Sequence, residues 1–257
     1  MTVTETNAVL EMRDVSVSFT SGAGAKRRTV RAMNGVTLDV APGETLGLVG
    51  ESGSGKTTTA AVALGLRAPD SGEVRLLGRP LSRSRKATAG KIQAVLQHPH
   101  WSLNPRRRVG ESVREPLTVA RRDLSREQQR ARVGEMLEHV GLNPGFAERY
   151  PHELSGGQRQ RVSVARALIT EPRFIVFDEA VSALDVAVQL QILSLIRELQ
   201  QEHRFGALFI SHDLGAVQRV ADRVAVLFRG DLVETAPTEH FFDAPAHPYS
   251  QQLLESL

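Results

Sequence analysis

The hydrophobic and polar positions of this chain follow the pattern of an α/β protein. Residues 10–19 and 30–40 alternate apolar and polar positions loosely, which is typical of strands with one exposed face. The run 174–177 is continuously apolar, and 45–49 and 207–210 are short runs suited to strands buried in a sheet. We therefore predict an α/β fold with an opening β-rich part.

Helical periodicity separates these strands. We predict helices over about 56–66, 126–140 and 186–202, and we assign the apolar stripe of the third helix to the core. That stripe consists of Leu190, Leu193, Ile196 and Leu199. Between residues 98 and 149 prolines interrupt the chain and helical spacing follows, which indicates a helical lobe inserted into the α/β core.

Composition excludes several classes of protein. The chain has 257 residues and no cysteine, so disulfides, thiolate-bound zinc and iron–sulfur clusters are excluded. No stretch approaches the ~20 apolar residues of a membrane span, and no apolar run follows a basic start. We expect a cytoplasmic protein whose contact with a membrane comes through a partner or through its surface.

The positive charge of the chain, +3 in total, is concentrated in short runs. These runs are Lys26-Arg27-Arg28, Arg83-Ser84-Arg85-Lys86, Arg106-Arg107-Arg108 and Arg121-Arg122. The simple interpretation is solvated surface, and the alternative is contact with anionic lipid head groups. We expect no nucleic-acid partner, because aromatic residues make up only 5% of the chain and do not alternate with the basic runs.

A glycine-rich loop after the strand at 45–49 matches the phosphate-binding pattern G-x-x-x-x-G-K-[ST]. The loop consists of Gly50, Glu51, Ser52, Gly53, Ser54, Gly55, Lys56 and Thr57. Its N–H groups would surround phosphate oxygens, Lys56 would neutralise the β- and γ-phosphates, and the Thr57 hydroxyl would bind Mg²⁺. Thr58 would donate to the α-phosphate. A chance Gly/Ser linker does not explain the strand before the loop and the helix after it.

Polar residues follow three other predicted strands, at 92–96, 174–177 and 207–210. Asp178 and Glu179 come after the run 174–177, where Asp178 would hold Mg²⁺ and Glu179 would act as the base for an attacking water. In isolation, two such acids could simply cap the next helix. His212 would donate to a γ-phosphate oxygen, and Gln97 would reach Mg²⁺ and the attacking water, although either alone carries little weight.

A second glycine-rich turn opens a predicted helix at 159–169. Ser155, Gly156, Gly157 and Gln158 form this turn after Leu154, and its hydroxyl and N–H groups could bind another anion. One chain does not need two γ-phosphate sites for one nucleotide. We therefore predict that this turn contacts ATP held by an opposing subunit.

Together these motifs resemble the nucleotide-binding subunits of ATP-binding cassette (ABC) transporters, over nearly the whole chain from about Leu10 to Leu257. The resemblance implies that Gln97 is the Q-loop residue, that 182–185 is the D-loop with Asp185 near the nucleotide, and that His212 is the switch histidine. It also places Phe19 where an aromatic ring stacks on adenine, with plain strand packing as the alternative. The implied cofactors are ATP and Mg²⁺, and the implied catalytic residues are Lys56, Glu179 and His212.

The same resemblance implies a domain plan and a set of partners. The fold would be a P-loop NTPase core, a mixed sheet flanked by helices, with an N-terminal antiparallel β subdomain and an inserted α-helical subdomain. A RecA-like core with the β subdomain would comprise 1–97 and 166–257, and the helical subdomain with the signature turn would comprise 98–165. The partners would be a second ATPase subunit in a homo- or heterodimer, two transmembrane permease subunits and, indirectly, an extracytoplasmic solute-binding protein. The complex would lie at the cytoplasmic face of the membrane.

Two segments indicate a subfamily. The stretch from Gln97 to Arg106 and the sequence His247-Pro248-Tyr249 followed by Leu253-Leu254 resemble dipeptide/oligopeptide and nickel importers. Trp101 and Leu103 would be anchors at the permease interface, with a Trp101 side chain folded inward as the alternative. Ala180 departs from the proline usual at its position. We expect peptide uptake, with nickel or a metal–chelator complex as the alternative substrate and a soluble non-transport ABC ATPase or a non-catalytic cassette as the rival functions.

Overall fold

The computed structural model describes residues 8–21, 28–82, 85–96 and 103–255. The chain divides into two compact units. The first takes its described residues from 1–83 and 206–257, and the second from 84–205. Gln97 and Trp101 lie outside the described residues.

The secondary structure alternates strands and helices along the chain. The strands are β1 (Leu10–Ser21), β2 (Arg28–Val40), β3 (Thr45–Val49), β4 (Ser71–Leu76), β5 (Arg79–Pro80), β6 (Ile92–Leu96), β7 (Phe174–Asp178), β8 (Gly206–Ile210), β9 (Arg223–Phe228) and β10 (Asp231–Pro237). The helices are α1 (Lys56–Ala63), α2 (Arg85–Thr88), α3 (Val109–Ala120), α4 (Arg126–His139), α5 (Gly156–Leu168), α6 (Val186–His203), α7 (Leu214–Val220), α8 (Thr238–Asp243) and α9 (Pro248–Glu255). Two short 3₁₀ helices cover Pro144–Glu148 and Pro151–Glu153.

The first unit contains an antiparallel sheet of order β2-β1-β4-β5, which confirms the predicted N-terminal β subdomain. The pairing of β1 with β2 shifts register between Met12 and Ser18. Gly35, which lies opposite this irregular part, has a φ of +63°. The Asn34-Gly35 pair, of a kind that favours turns and bulges, thus lies at this register shift.

The first unit also contains a group of strands with both parallel and antiparallel pairings. β3 lies between β8 and β9 and is parallel to both, and β10 returns antiparallel to β9. β3 and β8 are buried along their whole length, which explains why their sequences are almost entirely apolar. A Cβ atom at Gly47 would meet a methyl carbon of Val217 at 2.5 Å, so this glycine lets α7 pack closely on β3.

The second unit combines the parallel pair β6–β7 with helices α2 to α6. α3 contains Pro116 in its interior, although the prolines of this region predict breaks in the chain. It nevertheless buries Val109, Val113 and Leu117 along one face, and this packing outweighs the cost of the proline. α4 begins with a capping box in which Ser125 and Gln128 satisfy each other's backbone N–H groups.

Some sequence predictions differ from the structure in detail. α1 ends at Ala63 because Gly65, with a φ of +67°, closes the last turn. Leu190 of the predicted core stripe is exposed, whereas Leu193, Ile196 and Leu199 are buried. Leu103, predicted as an interface anchor, is buried within its own unit and therefore does not present its side chain to a partner. Among the described residues, no helix is long and apolar enough to span a bilayer.

Candidate nucleotide-binding site

The glycine-rich loop connects the end of β3 to the start of α1, as predicted. Gly50, Gly53 and Gly55 have φ values of +142°, +82° and +114°, which favour glycine. A Cβ atom at Gly50 would lie 2.1 Å from the carbonyl oxygen of Leu227, and one at Gly55 would lie 2.2 Å from that of Ala32. The loop can therefore adopt this shape only with glycine at its two ends.

Backbone and side-chain hydrogen bonds close the loop on itself. The Lys56 ammonium donates to the carbonyl oxygens of Gly50 and Glu51, at 2.5 and 2.9 Å. The Ser54 N–H donates to the Glu51 carbonyl at 3.1 Å, and the Gly230 N–H donates to the Ser54 carbonyl at 2.9 Å. Lys56 thus lies across the loop and is held close to it.

The exposure of the loop suits an anionic ligand. Glu51, Ser52, Gly53 and Thr57 are exposed, Thr58 is half-buried, and Ser54 and Gly55 are buried beneath them. A glycine loop that leads into a helix start presents its N–H groups and a favourable dipole to phosphates. The hydroxyl of Thr57 is an oxygen ligand of the kind that Mg²⁺ prefers, so the loop fits a nucleotide triphosphate and its metal. The carboxylate of Asp178, in the second unit, is a ligand of the same kind.

His212 lies at the same sheet edge as the loop. The parallel pairing of Leu48 with Ile210 brings the carboxyl ends of β3 and β8 side by side, and His212 is exposed two residues beyond the end of β8. Asp213 caps α7 by accepting the Ala216 N–H at 3.0 Å. The strand ends therefore place His212 and the phosphate loop together, as predicted.

In the second unit, Asp178 is the last residue of β7 and pairs in register with Leu96 of β6. Glu179 follows it with a φ of +51°, a conformation that non-glycine residues seldom adopt. The Glu179 carbonyl accepts the Ser182 hydroxyl at 3.0 Å, which begins the turn that leads into 182–185. Strain of this kind concentrates at functional sites. Ala180 is buried in this turn.

The signature turn opens α5. The Ser155 hydroxyl accepts the Gln158 N–H at 3.3 Å, and the Gln158 side chain accepts the Ser155 N–H at 2.9 Å. A Cβ atom at Gly157 would lie 2.5 Å from a methyl carbon of Val188, whereas one at Gly156 would lie at an ordinary 3.5 Å from Leu184. Packing against Val188 within the same unit therefore requires glycine at position 157. The sequence motif alone does not reveal this requirement.

Asp185 and Phe19 have structural partners as well. Asp185 caps α6 by accepting the Val188 N–H at 3.0 Å. The Phe19 ring is 46% exposed, and the Arg67 guanidinium lies over it at 4.8 Å. The exposure suits stacking on a base, while Arg67 already covers one face of the ring.

Sequence reasoning missed the groups that support the phosphate loop from outside. They are the carbonyls of Ala32 and Leu227, the N–H of Gly230 and the hydroxyl of Tyr249, which accepts the Glu51 N–H. Three of these are backbone groups of distant segments, and no residue type signals them. Tyr249 belongs to the His-Pro-Tyr sequence, so the motif indicated this residue but not its contact with the phosphate loop.

Comparison with known proteins gives the family of this chain. The family model described as ABC transporter matches residues 33–182. The oligopeptide transport ATP-binding protein AppF of Bacillus subtilis is 43% identical over 265 residues, covering 100% of this chain and 80% of the relative. The oligopeptide transport ATP-binding protein OppF of Escherichia coli is 43% identical over 265 residues, covering 99% and 79%.

A solved structure shares the fold. The dimeric post-hydrolysis state of the ATP-binding cassette MJ0796, bound to ADP and Pi, superposes with a TM-score of 0.78 at 29% identity, covering 89% of this chain and 98% of that one. The chain therefore belongs to the ABC transporter family. It is the ATP-binding, ATP-hydrolysing cassette of such a transporter.

Proposed function

We propose that this chain energises the import of di- and oligopeptides across the cytoplasmic membrane by hydrolysing ATP. The main support is the relationship, at 43% identity over its whole length, to an oligopeptide transport ATP-binding protein. The phosphate loop, whose end glycines admit no side chain, supports the ATPase part. The His-Pro-Tyr sequence is consistent with the same subfamily.

In this proposal each site residue has one role. The loop from Gly50 to Thr57, with Thr58, holds the triphosphate, and Lys56 neutralises its terminal oxygens. Thr57, Asp178 and Gln97 would hold Mg²⁺, whose charge would polarise the γ-phosphate. Glu179 accepts the proton of the attacking water, and His212 donates to a γ-phosphate oxygen. Phe19 stacks on the adenine.

The second half of the site comes from an opposing subunit. Ser155, Gly156, Gly157, Gln158 and Asp185 of one subunit would contact the ATP held by the loop of the other. The Ser155 hydroxyl already accepts a bond from Gln158, but its proton stays available to donate to an oxyanion. The companion is either a second copy or a related cassette, and the dimer found for MJ0796 supports the arrangement.

The remaining partners follow from the same assignment. Two permease subunits would carry the peptide, a solute-binding protein would deliver it, and the cassettes would sit at the cytoplasmic face of the membrane. The residues 98–165 would form the helical lobe that meets the permeases, with 1–97 and 166–257 as the core. ATP-driven closure of the two cassettes would move the permeases, and hydrolysis would reopen them.

Glu179→Gln tests the proposed chemistry. We expect ATP affinity close to wild type and phosphate release slower by at least ~100-fold, because the amide cannot accept the proton. Glu198→Gln, a matched change at an exposed position of α6, serves as the control. Phosphate release by Glu179→Gln at the control rate would remove Glu179 from the role of base.

Deletion of the gene in the source organism tests the substrate. Loss of growth on a tripeptide as sole source of a required amino acid, restored by the wild-type chain and not by Glu179→Gln, is the expected result. Unchanged peptide uptake together with lost nickel uptake would replace peptide by metal as the cargo.

A further inference from the structure

Tyr249 connects the C-terminal segment to the phosphate loop. It is the second residue of α9 and is 6% exposed. Its hydroxyl accepts a hydrogen bond from the Glu51 N–H at 2.9 Å, although the two residues are 198 positions apart. The contact therefore belongs to the tertiary structure of the first unit.

The segment that carries Tyr249 is fixed on the β9–β10 hairpin. The Glu234 carboxylate of β10 accepts the N–H groups of Ala246 and His247, both at 2.9 Å. His247 Nδ1 accepts the Tyr249 N–H at 3.1 Å. The Tyr249 ring lies 4.2 Å from the ring of Phe228, centroid to centroid. The phenol thus reaches the loop from a fixed position.

The bond acts on one peptide unit of the loop. That unit comprises the Gly50 carbonyl and the Glu51 N–H, which point in opposite directions because the peptide is planar and trans. Tyr249 holds the N–H side, and the carbonyl side accepts the Lys56 ammonium at 2.5 Å. Fixing one side of the plane fixes the direction of the other.

We propose that Tyr249 is a positioning residue for ATP binding: its hydroxyl fixes the Gly50–Glu51 peptide plane and thereby the place of Lys56. The inference rests on the proposed role of the loop in holding the triphosphate. A loop already in its binding shape loses less freedom when the nucleotide arrives, so the bond raises affinity. Burial raises the pKa of Tyr249, so its phenol is neutral at pH 7.

The test is Tyr249→Phe, which keeps the ring on Phe228 and removes the hydroxyl. The chain has two tyrosines, so Tyr150→Phe in the second unit is the matched control. Binding of a fluorescent ATP analogue to the purified chain gives Kd, and hydrogen exchange of the loop reports on the Glu51 amide. We expect Tyr249→Phe to raise Kd about 3- to 10-fold, the effect of one lost hydrogen bond, and to speed exchange at Glu51. We expect Tyr150→Phe to change neither.

Two further measurements separate the possible outcomes. Thermal melting without nucleotide detects a purely structural role: a lower melting temperature with an unchanged Kd would overturn the proposal. Lys56→Ala tests the loop itself. If it loses ATP affinity while Tyr249→Phe keeps it, the positioning role fails alone. If Lys56→Ala binds as wild type does, the proposed role of the loop fails and the inference fails with it.

Discussion

Substitution of Gly55 by alanine should damage both the stability of the protein and its affinity for ATP. The residue has a φ of +114°, and an added Cβ atom would lie 2.2 Å from the Ala32 carbonyl oxygen of β2. The backbone conformation alone costs about 1–3 kcal/mol for a non-glycine residue. The collision adds about 1–3 kcal/mol, because the atom it meets is backbone in a paired strand and not a flexible side chain.

These two costs together amount to about 2–6 kcal/mol, against a typical total stability of about 5–15 kcal/mol. The chain can respond in two ways. If the loop keeps its shape, urea unfolding reports the full loss. If the loop moves instead, stability recovers and the cost reappears on binding, where 2 kcal/mol weakens affinity by about 30-fold.

Gly35→Ala is the control for this experiment. Gly35 also has a positive φ, +63°, but a Cβ atom there would meet nothing within 4 Å. Its expected cost is about 1–2 kcal/mol of stability, with ATP affinity unchanged. Urea titration and binding of a fluorescent ATP analogue should be run on both variants. The steric reasoning would be refuted if Gly55→Ala and Gly35→Ala had equal free energies of unfolding and Gly55→Ala kept the wild-type affinity for ATP.

Three further predictions concern other parts of the molecule. Ser155→Ala should lose about 1 kcal/mol of stability, because the substitution removes the cap of α5. Ser155→Asp should keep the cap and still slow ATP turnover, because the aspartate charge repels phosphate. Thermal melting measures the first effect and phosphate release the second. Gly157→Ala should cost about 1–3 kcal/mol through its 2.5 Å approach to Val188, and Val188→Ala in the same chain should recover most of the loss in urea unfolding. Partial burial opposes ionisation of Glu234, but the hydrogen bonds that its carboxylate accepts outweigh this effect and lower its pKa. The ionised carboxylate therefore contributes to stability above the ordinary pKa of 4.5, and this contribution is lost as the pH falls through the lowered pKa. The melting temperature of Glu234→Gln should therefore lie below that of wild type at pH 7, and the gap should narrow as the pH falls below 4.5. A constant gap would exclude this linkage.

The local features of the site could be predicted from the sequence. An apolar run, a glycine loop and a helix start define where the phosphate loop begins and ends, since each is a property of neighbouring residues. The capping of α5 by Ser155 and of α6 by Asp185 is equally local. The order of strands and polar residues also predicted His212 at the sheet edge, because parallel strands share the direction of their carboxyl ends.

Contacts between distant segments could not be predicted in this way. The sequence does not show that the Ala32 carbonyl fills the space beside Gly55, or that Val188 fills the space beside Gly157. Helical spacing placed Leu190 in the core, yet it is exposed because periodicity defines a face and not how far the neighbouring elements cover it.

Sequence alone therefore determined the class of fold, the order of the motifs and the residue types at the phosphate loop. The tertiary structure determined the shape of the loop and the contacts that hold it, including the hydrogen bond between Glu51 and Tyr249, which are 198 positions apart. The physical reason is the distance along the chain over which each interaction acts. Propensity, capping and backbone conformation act within a few residues, whereas steric fit and hydrogen bonding between segments exist only after the chain has folded them together.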